Sequence, residues 1–232
     1  MSSTTWSSQP LKTVYTVSFW AINIPHLLYL SIRYAITPFR AVPKWSYKTS
    51  IGAAFMRALF RYLAITRFQQ PRQLVPRKSQ GRFVLIAPPD ASLFRGLLGA
   101  PTAATRPAPV GAVWHPAPVV PGSTDPNRRV VIHAAGGAFV LGWDPEQNAQ
   151  NVSAIATKHF GATNVLYMQY RLASRDNPFP AAVQDLFTTY QYVLDLGVAP
   201  KDVVLMGDSA GANLVLALLR YLAEQSLPQP GT

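Results

Sequence analysis

The nonapeptide from Met206 to Leu214, Met-Gly-Asp-Ser-Ala-Gly-Ala-Asn-Leu, holds the residues of this chain best placed to do chemistry. It has the form G-x-S-x-G. An apolar run, Val203 to Met206, precedes it, and a helix-like run, Asn213 to Ala223, follows. A serine hydroxyl is a weak nucleophile and must project toward a base and a reacting carbon. A tight strand-to-helix turn projects it, and glycines on both sides permit the close backbone approach of such a turn. Ser209 is therefore the candidate nucleophile. In isolation the motif also fits a glycine-rich turn that binds a phosphate or nothing; the strand before it and the helix after it favour the nucleophile. Asp208, beside the serine, is expected to be structural.

A second segment, Ile132-His133-Ala134-Ala135-Gly136-Gly137-Ala138-Phe139, leaves a buried-strand pattern and enters a glycine-containing loop. Acyl transfer passes through a tetrahedral oxyanion, which preorganised backbone N–H groups stabilise. Gly136 and Gly137 are the expected donors, with the N–H of Ala210 as the third. A nucleotide-binding turn is disfavoured, because no G-x-G-x-x-G is present. A third segment, Tyr170-Arg171-Leu172-Ala173 followed by Phe179-Pro180-Ala181-Ala182 and Asp185, reads as a strand end, a polar loop and a proline-initiated helix. No metal-ligand spacing appears, and the chemistry needs no cofactor. The chain has no cysteine, so disulfides and thiolate catalysis are excluded.

These segments need a scaffold, and from Arg129 onward the sequence supplies one. Val130–Ile132, Asn164–Gln169 and Asp202–Met206 read as strands. Gln147–Phe160, Ala181–Leu196 and Ala212–Gln225 read as helices. Strands alternating with helices predict an α/β fold with a mostly parallel sheet. Residues 86–126 are proline-rich, with short edge-type strand signals at Phe83–Ala87 and Val110–Trp114.

Together the three segments resemble the hormone-sensitive-lipase-type branch of the α/β-hydrolase fold, a group of carboxylesterases and deacetylases. The family's Gly-Asp-Ser-Ala-Gly elbow is matched by Gly207 to Gly211. Its His-Gly-Gly-Gly/Ala-Phe loop is matched at Gly136, Gly137, Ala138 and Phe139. Its Tyr-Arg-Leu-Ala … Phe-Pro-Ala-Ala … Asp segment is matched at Tyr170–Ala173, Phe179–Ala182 and Asp185. The resemblance is specific over residues 110–225. It implies serine-dependent hydrolysis of a small-molecule carboxylic ester, with a structural role for Asp185 and an N-terminal helical cap. Two departures stand out. The family's loop histidine falls at Ala135, which removes a hydrogen-bonding brace; His133, two residues earlier, is a poor substitute. The family's triad acid and histidine also come after the nucleophile. After Ser209 the only acid is Glu224, and the four histidines, His26, His115, His133 and His159, all precede it. The expectation is a partial hydrolase core, inactive or incomplete as 232 residues. The alternative is a catalytically dead, ligand-binding relative.

Charge separates a second region. The net charge is +11, yet residues 1–89 hold 12 Lys/Arg and no Asp or Glu, whereas residues 90–232 hold 9 basic and 10 acidic residues. The expected organisation is a basic anchor and cap-like region over 1–80 and a hydrolase core over 81–232, with residues 1–12 disordered. Val14–Ile32 has no formal charge and is long enough to cross a bilayer. Asn23, Pro25 and His26 at its centre oppose that, so spanning, interfacial and buried-pair readings stay open. If it spans, the Lys/Arg bias puts the rest of the chain on the cytosolic side. Tyr47–Phe68 reads as an amphipathic helix, with Pro71 and Pro76 bracketing its end and Arg57, Arg61 and Arg67 off its apolar stripe. The residues between the charges are aromatic and aliphatic, which favours lipid over nucleic acid. The expected partner is a membrane surface, on the endoplasmic reticulum or another endomembrane. A plain solvated helical face is the alternative.

Overall fold

The computed structural model describes residues 9–66, 74–76, 78–99, 102–123, 125–174 and 176–231. Residues 1–8, Arg67, Phe68 and Pro71, which figure in the expectations above, lie outside them. The chain divides into two compact units, residues 1–68 and 69–232.

The first unit is a helical hairpin of α1 (Leu11–Ala35) and α2 (Tyr47–Thr66). Helix α1 runs through Pro25, where the ladder loses one N–H donor. Aromatic packing joins one end of the pair. Tyr62 stacks on Tyr15 with ring centroids 6.4 Å apart, meets Phe19 at 5.5 Å and Trp20 at 5.6 Å, and its hydroxyl lies 2.9 Å from that of Thr16. At the other end, Ala53, Ala54 and Ala58 face Asn23, His26 and Leu30 across a polar cavity. Among the described residues no helix is long and apolar enough to cross a membrane. The polar centre of α1 is the reason: its 25 residues include Asn23, His26 and several hydroxyls.

The second unit is built on five strands: β1 (Phe83–Ile86), β2 (Val110–His115), β3 (Val130–Ala134), β4 (Asn164–Gln169) and β5 (Val203–Gly207). Their order is β1-β2-β4-β3-β5. The pairs β4–β3 and β3–β5 are parallel, whereas β1–β2 and β2–β4 are antiparallel. The sheet is thus mixed, and parallel only in the half that carries the glycine-containing segments. Parallel pairing needs a crossover, usually an α-helix, and among the described residues α-helices stand between strands only after Arg129.

Helices α3 (Pro145–Phe160), α4 (Ala181–Asp195) and α5 (Ala210–Glu224) cover both faces. Strand periodicity sorts the side chains. Val130, Ile132 and Ala134 of β3 join the main core with Trp114, Leu166, Phe187, Tyr190 and the α5 stripe Leu214, Leu218, Tyr221 and Leu222. Val131 of β3 and Val165 of β4 face the other way, against Ala156 of α3. Helix α3 begins two residues before the expected Gln147. Asp144 caps it by accepting the N–H of Gln147 at 2.9 Å, and Pro145 takes the first helical position, where a missing N–H costs nothing. Helix α5 likewise begins at Ala210 rather than Ala212, because the turn from β5 takes only two residues, Asp208 and Ser209.

Candidate active site

Ser209 is the second of the two residues between β5 and α5, with φ 48° and ψ −115°. Such a backbone is strained for a residue with a Cβ, and it persists only where the surroundings hold it. Two glycines make the hold possible. A Cβ on Gly211 would collide with the carbonyl oxygen of Ala134 on β3. One on Gly207 would lie 2.5 Å from the carbonyl carbon of Gly211. The backbones of β3, β5 and α5 thus meet without side chains between them. Ser209 is left exposed at the end of β5. Its carbonyl accepts the N–H of Asn213 at 3.1 Å, so the helix starts at once.

The loop after β3 runs beside this turn. Asp208 Oδ1 accepts the N–H of Gly136 at 3.0 Å. This corrects the expected donor set: the Gly136 N–H is already committed, so it does not point at a reacting oxygen. A Cβ on Gly136 would also strike the Asp208 carboxylate, which explains the glycine there. The loop then turns through φ 132° at Gly137, 52° at Ala138 and 61° at Phe139. Ala138 lines the adjoining cavity. The donors consistent with this path are the N–H groups of Gly137, Ala138 and Ala210. Ala210 is the first residue of α5, where N–H groups have no partner within the helix. Sequence reasoning passed over Ala138; the signal was its match to the third small residue of the family's loop.

Four polar contacts hold the loop without a histidine at position 135. Besides the Asp208 bond, the Tyr170 hydroxyl donates to Ala135 O at 2.6 Å. The Trp143 indole N–H donates to Gly136 O at 2.7 Å. Ala173 N–H donates to Phe139 O at 2.7 Å. Burial, with the Asp208 charge adding to it, pushes the Tyr170 phenol up to about 12, so it stays a neutral donor. His133 is buried and stacks on Tyr167, ring centroids 5.5 Å apart. Its Nε2 lies 3.7 Å from Asp208 Oδ1. Burial pulls the imidazole below its ordinary range, and the Asp208 charge only partly opposes this. The structural role expected for Asp208 has a definite form here: it ties the loop after β3 to the turn after β5.

Asp185 is fully buried on α4. Its Oδ1 accepts Arg171 Nε at 2.9 Å and Oδ2 accepts the Arg171 backbone N–H at 2.6 Å. The guanidinium also donates to Arg106 O, Ala181 O and Gln184 Oε1. The pair therefore fixes the segment after β4 against the start of α4. That segment, with Ala138, Phe139, Asn213 and Ala217, lines a mainly apolar cavity of about 270 Å³ beginning one helical turn from Ser209. Among the described residues no group of His, Asp and Glu could hold a metal ion.

Residues 130–232 match the family described as the alpha/beta hydrolase fold. Over 99 residues the chain is 37% identical to an esterase of Acinetobacter venetianus, a match covering 42% of this chain and 31% of that one. Over 104 residues it is 36% identical to an acetyl-hydrolase of Streptomyces hygroscopicus, covering 45% and 33%. A crystal structure of an esterase/lipase from an uncultured bacterium is 33% identical over 52% of this chain and 38% of that one, with a TM-score of 0.43. The matched segment spans about a third of the length of these curated relatives. Residues 130–232, with their strand-to-helix serine turn and the loop beside it, are thus similar to the α/β-hydrolase fold family.

Proposed function

We propose that this chain supplies the nucleophile and the oxyanion donors of a serine carboxylic ester hydrolase. The observation that carries the reading is the exposed Ser209, held at positive φ between two closely packed glycines. Ser209 Oγ adds to the ester carbonyl carbon, and its proton passes to a base. The developing oxyanion takes hydrogen bonds from Ala210 and from Gly137 and Ala138. Collapse expels the alcohol with a proton and leaves an acyl-Ser209 ester, which water hydrolyses to the acid. The cavity that begins one helical turn from Ser209, at about 270 Å³, falls just below the usual range of ligand sites, which run from about 300 Å³ upward, so the substrate proposed is a small ester.

The base is not proposed from the four histidines present. His133 is buried against Tyr167 and oriented toward Asp208. Without a base, the 232-residue polypeptide keeps only the part of the catalysis that oxyanion donors and binding supply, about 10³–10⁴ over water in a comparable site. Chemical rescue tests the reading. Added imidazole is expected to accelerate labelling of Ser209 by a fluorophosphonate, with the adduct located by peptide mass. The Ser209→Ala variant should take no label. Labelling equally fast in both, or none with imidazole present, would point to the dead, ligand-binding relative.

The helical hairpin supports a second reading, attachment to an anionic membrane surface. Ile22, Leu28, Ile32, Phe39, Trp45 and Phe60 are all exposed on it, and no carboxylate occurs before Asp90. Apolar contact plus a basic face is the pair of signals that peripheral attachment takes. An endomembrane location is part of the same proposal. Cosedimentation of the full chain with anionic vesicles at low salt tests it; a chain that stays in the supernatant rules it out.

A further inference from the structure

The helical hairpin holds a cavity of its own. It measures about 220 Å³ and is more polar than the one beside Ser209. Asn23, His26 and Tyr34 of the first helical segment line it, with Trp45 of the connection and Arg57 and Arg61 of α2. The small side chains of Ala53, Ala54 and Ala58 leave the space open. Arg57 and Arg61 are four residues apart, so their guanidinium groups emerge on one face, one turn apart. Like charges at that spacing oppose the helix that holds them. Arg57 and Arg61 are both exposed, Arg61 acts electrostatically on the Tyr15 phenol, and no carboxylate occurs in the first 89 residues to neutralise the pair. The cavity wall is itself fastened. Arg40 donates to Tyr34 O and to Trp45 O, both at 2.9 Å, which fixes the connection against the end of α1. Asn23 donates an amide N–H to Phe19 O.

We propose that this cavity binds a phosphate group. Two guanidinium forks match the oxygens of a tetrahedral oxyanion in a bidentate way that a point charge does not. The Tyr34 hydroxyl and the His26 ring add hydrogen-bonding capacity. The bound anion would relieve the repulsion between Arg57 and Arg61 and so stiffen α2. The source of the phosphate is either the headgroup of an anionic phospholipid or a small soluble phosphate. The proposal rests on the membrane-surface reading only in its lipid arm.

The full 232-residue chain is titrated with inorganic phosphate by calorimetry, and separately with phosphatidylcholine vesicles with and without phosphatidic acid. The paired variant Arg57→Gln, Arg61→Gln is compared with Arg33→Gln, Lys48→Gln, which removes the same charge from the same hairpin at residues that do not line the cavity. The expected result is at least a tenfold loss of phosphate affinity in the first pair and less than a twofold change in the second. If the first pair unfolds, Arg57→Lys, Arg61→Lys keeps the charge, removes the fork and should still bind several-fold more weakly. Parallel loss of vesicle binding assigns the lipid source. Vesicle binding that survives assigns the soluble one. Equal losses in the cavity and control pairs, or no phosphate binding by the parent chain, overturn the site. Failure of the vesicle arm alone overturns only the membrane reading.

Discussion

Asp208 Oδ1 accepts the backbone N–H of Gly136 at 3.0 Å, across 72 residues of sequence. One carboxylate thereby sets the distance between the turn that presents Ser209 and the loop that carries the expected oxyanion donors. The acid next to Ser209, the proposed nucleophile, is a positioning residue, and the glycine opposite it lets the carboxylate approach.

That relationship predicts a separation of activity from stability. Asp208→Ala should slow the imidazole-rescued acylation of Ser209 by about ten- to a hundredfold, short of the 10²–10³ seen when an oxyanion donor is removed outright. Asp208 is largely exposed, so the melting temperature should move little. Asp208→Asn keeps an acceptor and should recover most of the rate. Stopped-flow acylation with a chromogenic ester, alongside thermal melts, measures both.

Tyr170→Phe should act on the same loop from below. It removes the donor to Ala135 O and leaves a carbonyl in the interior unsatisfied, at a cost of about 1–3 kcal/mol. Urea unfolding gives the stability change. An unchanged midpoint would show that the loop does not depend on this bond.

Arg171→Ala should be the most damaging single change in the polar interior. It strands Asp185, fully buried, without its cation, and breaking such a pair costs about 3–5 kcal/mol. Against a total stability of about 5–15 kcal/mol, that is a large share, and the melting temperature should fall sharply. Circular dichroism and the soluble yield report it.

Gly211→Ala should also fail structurally. The added methyl meets the Ala134 carbonyl, which is backbone within a strand and has nowhere to move. Overpacking of this kind costs about 1–3 kcal/mol or more, and fluorophosphonate labelling of Ser209 should fall with it.

His133 should give the fold a pH dependence of known sign. Its folded-state pKa is lowered, chiefly by burial, so the unfolded chain takes up the proton first. Its contribution to stability is intact above the unfolded value of about 6.5 and is lost as the pH falls below it. His133→Phe, which keeps a ring against Tyr167, should flatten the slope of urea midpoints between about pH 7 and pH 5.5. A slope unchanged in the variant would assign it to other groups.

The α/β class, the helices after Arg129 and the serine turn were legible in the sequence because each rests on local physics. An apolar run marks a strand, a Phe-Pro pair opens the helix at Ala181, and glycines flank a serine between strand and helix. Gly207 and Gly211 were readable as close-approach positions even before their neighbours were known. Three matters were decided only in three dimensions. The antiparallel half of the sheet comes from a proline-rich stretch whose pairing no periodicity predicts. The polar cavity in the hairpin arises where three alanines on one helix face a tyrosine, a histidine and an asparagine brought in from elsewhere. The choice among oxyanion donors turned on Asp208 reaching Gly136, so that one expected donor was already spent. Sequence records which groups a segment offers; a hydrogen bond between residues far apart depends on where the fold puts both ends, and each N–H has only one proton to give.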